Sequence, residues 1–162
     1  MSEKNTARDL IGALRARGWR MAAAESCTGG KIADRITAIS GASDVFLGSA
    51  VTYTNEVKHR FLSVKTETLD NFGAVSEETA REMAEGVLRL SGADIAVSVT
   101  GIAGPGGGSE DCPVGTVCFG LCVRGEDPVS VTVHFDPRAS REEIRCAAAE
   151  HAMGMVMGKV RG

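Results

Sequence analysis

The sequence predicts an α/β fold: three layers, α/β/α, built on a mixed sheet with helices on both faces. Three observations predict it. Helical and strand-like segments alternate along most of the 162 residues. A central strand-like run is short and mostly apolar, as suits a strand covered on both faces. Two strand-like runs joined by a short polar turn then interrupt the alternation, which makes the sheet mixed.

The elements follow in order. Residues 4–17 place Leu10, Ile11 and Leu14 on one side of a helix, with Arg15 and Arg17 among the polar positions, and Gly18 ends it. Residues 19–24 read as a short buried strand. Residues 31–39 repeat Ile32, Ile36 and Ile39 at helical spacing until Ser40-Gly41 stops them. A strand over 46–53, a short helix over 55–61 and a further turn or two over 66–72 come next. Ser76 caps a helix whose first turn holds Glu77 and Glu78 and which runs to about Leu90 before Ser91-Gly92. Residues 94–100 (DIAVSVT) suit a central strand. Residues 101–113 are too rich in Gly and Pro for regular structure. Runs at 114–123 and 129–135 flank Arg124-Gly125-Glu126-Asp127-Pro128 as a hairpin, and 138–159 carry the last helix. With no repeat and no linker, a single domain over 1–162 is expected.

Composition excludes several function classes. The net charge is −3 with only 4% aromatic residues, so neither a nucleic-acid nor an anionic-membrane signature is present. No run of eighteen apolar residues occurs, and the first twenty residues lack the apolar core of a signal peptide. The five cysteines (27, 112, 118, 122 and 146) form no CxxC pair, and their odd count argues against a disulfide framework. Cys118 and Cys122 share one face of a strand with His134 on the next, but small buried thiols explain them better than a metal site. A cytoplasmic protein without metal or cofactor is expected.

Ligands of α/β sheets gather beyond the carboxyl ends of strands, and three such segments stand out. The first is Glu25-Ser26-Cys27-Thr28-Gly29-Gly30, where free backbone N–H groups at a strand-to-helix turn favour an anion; a plain helix cap competes. The second, 52–58, holds Tyr53 and Lys58. A serine nucleophile needs a base, and His59, His134 and His151 are poorly placed for it, whereas a buried, neutral lysine can serve; an ordinary solvated lysine competes. The third, 98–105, ends a strand at Thr100 and follows it with Gly101 and Gly104, which suits a backbone cradle; a plain flexible loop competes. Arg141 and Arg145, one helical turn apart, suit a phosphate or carboxylate, and pairing with Glu142 or nearby acids on a solvated helix competes.

The stretches AESCTGG, VTYTNEVK, GAVSEETA, SVTGIAGPGGGSE and PVGTV, in this order, resemble the C-terminal domain of the competence/damage-inducible protein CinA. The resemblance runs from about Asp9 to about Met157 and points to the stand-alone, nicotinamide-nucleotide amidase type, without the additional N-terminal domain of long members. It implies metal-independent serine amidohydrolase chemistry on nicotinamide mononucleotide, giving nicotinate mononucleotide and ammonia. Carried over by motif, Ser26, Tyr53, Lys58 and Thr100 are the catalytic set. Thr28, Gly29, Gly30, Gly101, Gly104 and Arg141 are the substrate-binding set. The family's Gly-Asp-Arg before the last helix is altered here, so Arg138 competes with Arg141 for the substrate phosphate. A homo-oligomer, a dimer in the first instance, is expected. Two other readings stay open: a non-catalytic nucleotide- or phosphate-binding module, and a hydrolase of another small amide using Cys27.

Overall fold

A computed structural model describes residues 3–162; the first two residues of the expected 1–162 domain lie outside the described residues. The elements are α1 (Glu3–Arg17), β1 (Met21–Glu25), α2 (Lys31–Thr37), a single 3₁₀ turn (Ala42–Asp44), β2 (Phe46–Val51), α3 (Asn55–Leu62), α4 (Thr66–Phe72), α5 (Glu77–Ser91), β3 (Ile95–Gly101), β4 (Thr116–Val123), β5 (Val129–His134) and α6 (Arg141–Arg161). The five strands form one sheet in the order β2-β1-β3-β4-β5. β1 runs parallel to both β2 and β3, while β4 and β5 run antiparallel to their neighbours. The sheet is therefore mixed, with helices packed on both faces, as the sequence predicts.

Chain direction explains the layers. From β1 the chain crosses outward to β2 through α2, then returns past β1 to β3 through α3, α4 and α5. Right-handed crossovers in opposite directions put their helices on opposite faces. One core accordingly joins α1, α2 and α6 to Met21, Ala23, Ile95, Val97, Val99, Val117 and Phe119. The other joins α3, α4 and α5 to Ala22, Ala24 and Ala96. Alternation along each strand sorts large side chains to the first face and small ones to the second. The small face lets α5 approach closely: Ser98 Oγ donates to the Ala80 carbonyl, and a Cβ on Gly120 would collide with that same oxygen.

Capping sets the helix limits. Ser76 Oγ accepts from Thr79 N at the start of α5, and Gly92, with φ of 72°, closes its end. Ser140 and Glu143 form a reciprocal capping box that starts α6 three residues later than the sequence pattern suggests. Asp136, Pro137 and Arg138 stay outside that helix, where Arg138 folds onto Asp136. Among the described residues no helix is long and apolar enough to cross a membrane.

Candidate active site

The carboxyl ends of the parallel strands β1, β2 and β3 lie side by side, because Glu25 pairs with Val51 on one side and with Val99 on the other. The segments that leave these ends therefore converge. They enclose a cavity of about 300 Å³ lined by Ser26, Cys27, Tyr53, Lys58, Thr100, Gly101, Gly104 and Arg141, among others. Three segments far apart in sequence thus meet because the topology leaves their strands adjacent.

Lys58 reaches the cavity from the first turn and a half of α3, whose start is fixed by Thr54 Oγ1 accepting from Val57 N. The side chain is 1% exposed, yet polar at its tip. Its Nζ donates to Ser26 Oγ at 2.8 Å and to the Thr52 carbonyl at 2.9 Å. Among the described residues no carboxylate bonds to it, and burial lowers its pKa from 10.5 to about 8. A neutral amine keeps two N–H donors and one lone pair. Thr52 O occupies one donor, and the lone pair is then available for the Ser26 hydroxyl proton.

Cys27 follows Ser26 directly and also lines the cavity, but its thiol has no hydrogen bond to Lys58. Burial pushes that thiol up to about 11, against the pull of Lys58, Arg145 and Arg141 nearby. It is therefore a protonated thiol at neutral pH, and Ser26 alone has a base in contact.

The remaining expected residues take distinct places. Arg141 donates to the Gly104 carbonyl at 2.7 Å and to Tyr53 Oη at 3.0 Å, bridging the glycine-rich loop and the segment after β2. Tyr53 is 59% exposed and its hydroxyl accepts from Arg141, while the Lys58 amine bonds to Ser26 and Thr52. Thr100 Oγ1 donates to the Ala74 carbonyl, which anchors the wall formed by Ala74 and Val75. Gly101 and Gly104 line the cavity, and a Cβ at either would press on Val117 or Val114. Thr28, Gly29 and Gly30 form the turn behind Ser26 and are not among the lining residues. Arg138 stands on the surface and Arg145 turns toward the backbone of residues 27 and 28.

One residue that the motif reading passed over organises this turn. Glu25 is fully buried, and its carboxylate accepts from Thr28 Oγ1, Ile32 N, Ala33 N and Ser49 Oγ. A buried carboxyl group at the end of a strand demands hydrogen-bond partners, and these four donors supply them. The signal in the sequence was the acid itself, directly after three buried alanines. The wall at Ala74 and Val75 had no such signal.

Fold and cavity define a three-layer α/β protein with a serine–lysine pair in a glycine-walled pocket. The chain belongs to the CinA C-terminal domain family, whose model matches residues 3–160. It is 50% identical over 141 residues to the nicotinamide-nucleotide amidohydrolase PncC of Enterobacter agglomerans, covering 87% of this chain and 85% of that protein. It is 45% identical over 161 residues to a putative competence-damage inducible protein of Moorella thermoacetica, of which it spans 38%. Among solved structures, the competence/damage inducible protein CihA from Agrobacterium tumefaciens superposes with a TM-score of 0.94 at 42% identity, each chain fully covered. A CinA superfamily protein from Klebsiella pneumoniae gives 0.94 at 36% identity, with 99% of each chain covered.

Proposed function

We propose that this protein is a cytoplasmic amidohydrolase that converts nicotinamide mononucleotide to nicotinate mononucleotide and ammonia, a step of pyridine nucleotide salvage. The observation that carries this reading is the 2.8 Å contact between a fully buried, weakly basic Lys58 and Ser26 Oγ. The relationship to the PncC amidohydrolase supports the substrate.

In this mechanism neutral Lys58 takes the Ser26 proton as Oγ attacks the carboxamide carbon. Backbone N–H groups near the Ser26 turn and the end of β3 receive the carbonyl oxygen as it becomes an oxyanion. The tetrahedral intermediate collapses, and the C–N bond breaks as Lys58 returns its proton to the departing nitrogen. Ammonia leaves an acyl-Ser26. Lys58 then takes a proton from water, the hydroxide attacks the acyl carbon, and the proton passes to Ser26 Oγ as the ester bond breaks. Arg141, placed beside Tyr53 at the cavity, meets the substrate phosphate.

Ammonia release from nicotinamide mononucleotide, with a chelator present throughout, tests the reading. The wild type turns over, and a folded Ser26→Ala loses activity by about 10³-fold or more. Equal turnover by both proteins would remove Ser26 from the chemistry. A wild type that binds the nucleotide and releases no ammonia would make the cavity a binding module.

A further inference from the structure

Arg141 and Arg145 sit one turn apart on α6, but only Arg141 lines the cavity. The Arg145 guanidinium is spent on the nucleophile turn. Its Nε donates to the Cys27 carbonyl and one terminal nitrogen donates to the Thr28 carbonyl, both at 3.0 Å. The other terminal nitrogen pairs with Glu142 at 3.1 Å, and Glu142 also takes an ion pair from Lys31 at the start of α2. Each of the three guanidinium nitrogens is thus engaged, and the plane of the group is fixed at three points.

The turn is shaped to receive it. Gly29 has φ of 58°, and a Cβ there would stand 3.1 Å from the Arg145 terminal nitrogen. Glu25 meanwhile holds the same segment from its N–H and hydroxyl side, through Thr28 Oγ1 in the turn and Ile32 N and Ala33 N in the first turn of α2. The two charged groups therefore divide the turn between them: the carboxylate takes donors and the guanidinium takes acceptors. Ser26 lies immediately before the two carbonyls that Arg145 grips, with its own N–H bonded to Val99 O.

We infer that Arg145 is a positioning residue that locks the Ser26 turn in its reactive conformation and does not contact substrate. The inference rests on the amidase reading for its kinetic consequences. A misplaced nucleophile lowers kcat, whereas a lost phosphate partner raises KM.

Arg145→Ala should lower kcat by about 10- to 100-fold with KM little changed, and added guanidinium ion should restore part of that kcat. Arg141→Ala should instead raise KM. Nicotinamide riboside, which lacks the phosphate, should erase the Arg141→Ala penalty and leave the Arg145→Ala penalty intact. Gly29→Ala should reproduce the kcat loss. A folded Arg145→Ala with wild-type kcat, or one whose whole defect is in KM and vanishes with the riboside, overturns the assignment. Amide hydrogen exchange decides the point independently of any substrate. Arg145→Ala should speed exchange at Gly29 and Lys31, whose N–H groups close the turn onto Ser26 O and Thr28 O. Unchanged exchange there would overturn the inference even if the wild type released no ammonia, and ammonia release alone judges the amidase reading.

Discussion

Lys58 carries the clearest consequences at the scale of a residue. In the proposed mechanism the neutral amine is the active form, and a pKa of about 8 sets the pH at which it is populated. The pH profile of kcat/KM should therefore rise with unit slope below about pH 8 and level above it; a flat profile from pH 6 to 9 would exclude Lys58 as the base. Stability follows the same group with a definite sign. Between pH 8 and 10.5 the unfolded chain holds a proton on this lysine that the folded chain has released, so stability rises with pH across that window. Lys58→Met lacks this term. Its stability relative to wild type should fall by up to about 3 kcal/mol from pH 8 to pH 10.5, which urea titrations at several pH values would detect. Cys27 makes a contrasting case: as a buried, high-pKa thiol it should alkylate at pH 7.5 far more slowly than the less buried Cys112 and Cys146. Peptide mapping after brief treatment with iodoacetamide measures this; fastest labelling at Cys27 would return it to consideration as a nucleophile.

At the scale of an element, α3 matters most because it delivers Lys58, and α5 supports it from behind. Gly86 of α5 packs so closely on the end of α3 that a Cβ would run into the Leu62 carbonyl. Gly86→Ala should therefore cost about 1–3 kcal/mol and lower kcat by shifting α3; a variant of wild-type Tm and activity would show that the two helices separate without moving Lys58. Most elements were legible in the sequence. The spacing of Leu10, Ile11 and Leu14, the Ser76 cap and the mostly apolar runs at β1 and β3 leave little choice of structure. Limits shifted where a cap or a ladder decided them: Tyr53 lies beyond β2, and Arg138 beyond α6. The 3₁₀ turn at Ala42–Asp44 gave no pattern, since three residues carry no period. At the cavity, Ser26, Lys58 and Arg141 stand out in the sequence because a hydroxyl, an amine and a guanidinium occupy positions that carry the family resemblance, and each lines the pocket. Glu25 and Arg145 could not be assigned in the same way. Much of their bonding is to backbone N–H and C=O groups, which every sequence contains.

For the whole molecule, the strand order 2-1-3-4-5 is what no local pattern reveals, and it is also what builds the cavity. Three loops separated by up to 80 residues meet only because β1 lies between β2 and β3. All five cysteines are free thiols, and no disulfide contributes to that assembly. Thermal unfolding should consequently give the same Tm with and without a reductant, and a drop on reduction would reveal a cross-link. The reversal of chain direction at β4 has a further outcome. Gly101 pairs with Val117 at the cavity end, and Ile95 pairs with Val123 at the far end. The turn at residues 124–128 therefore lies at the opposite pole, roughly 20 Å away along β3. It is a natural handle: a dye, a peptide tag or a surface linker attached there would orient every molecule with its mouth toward the solution.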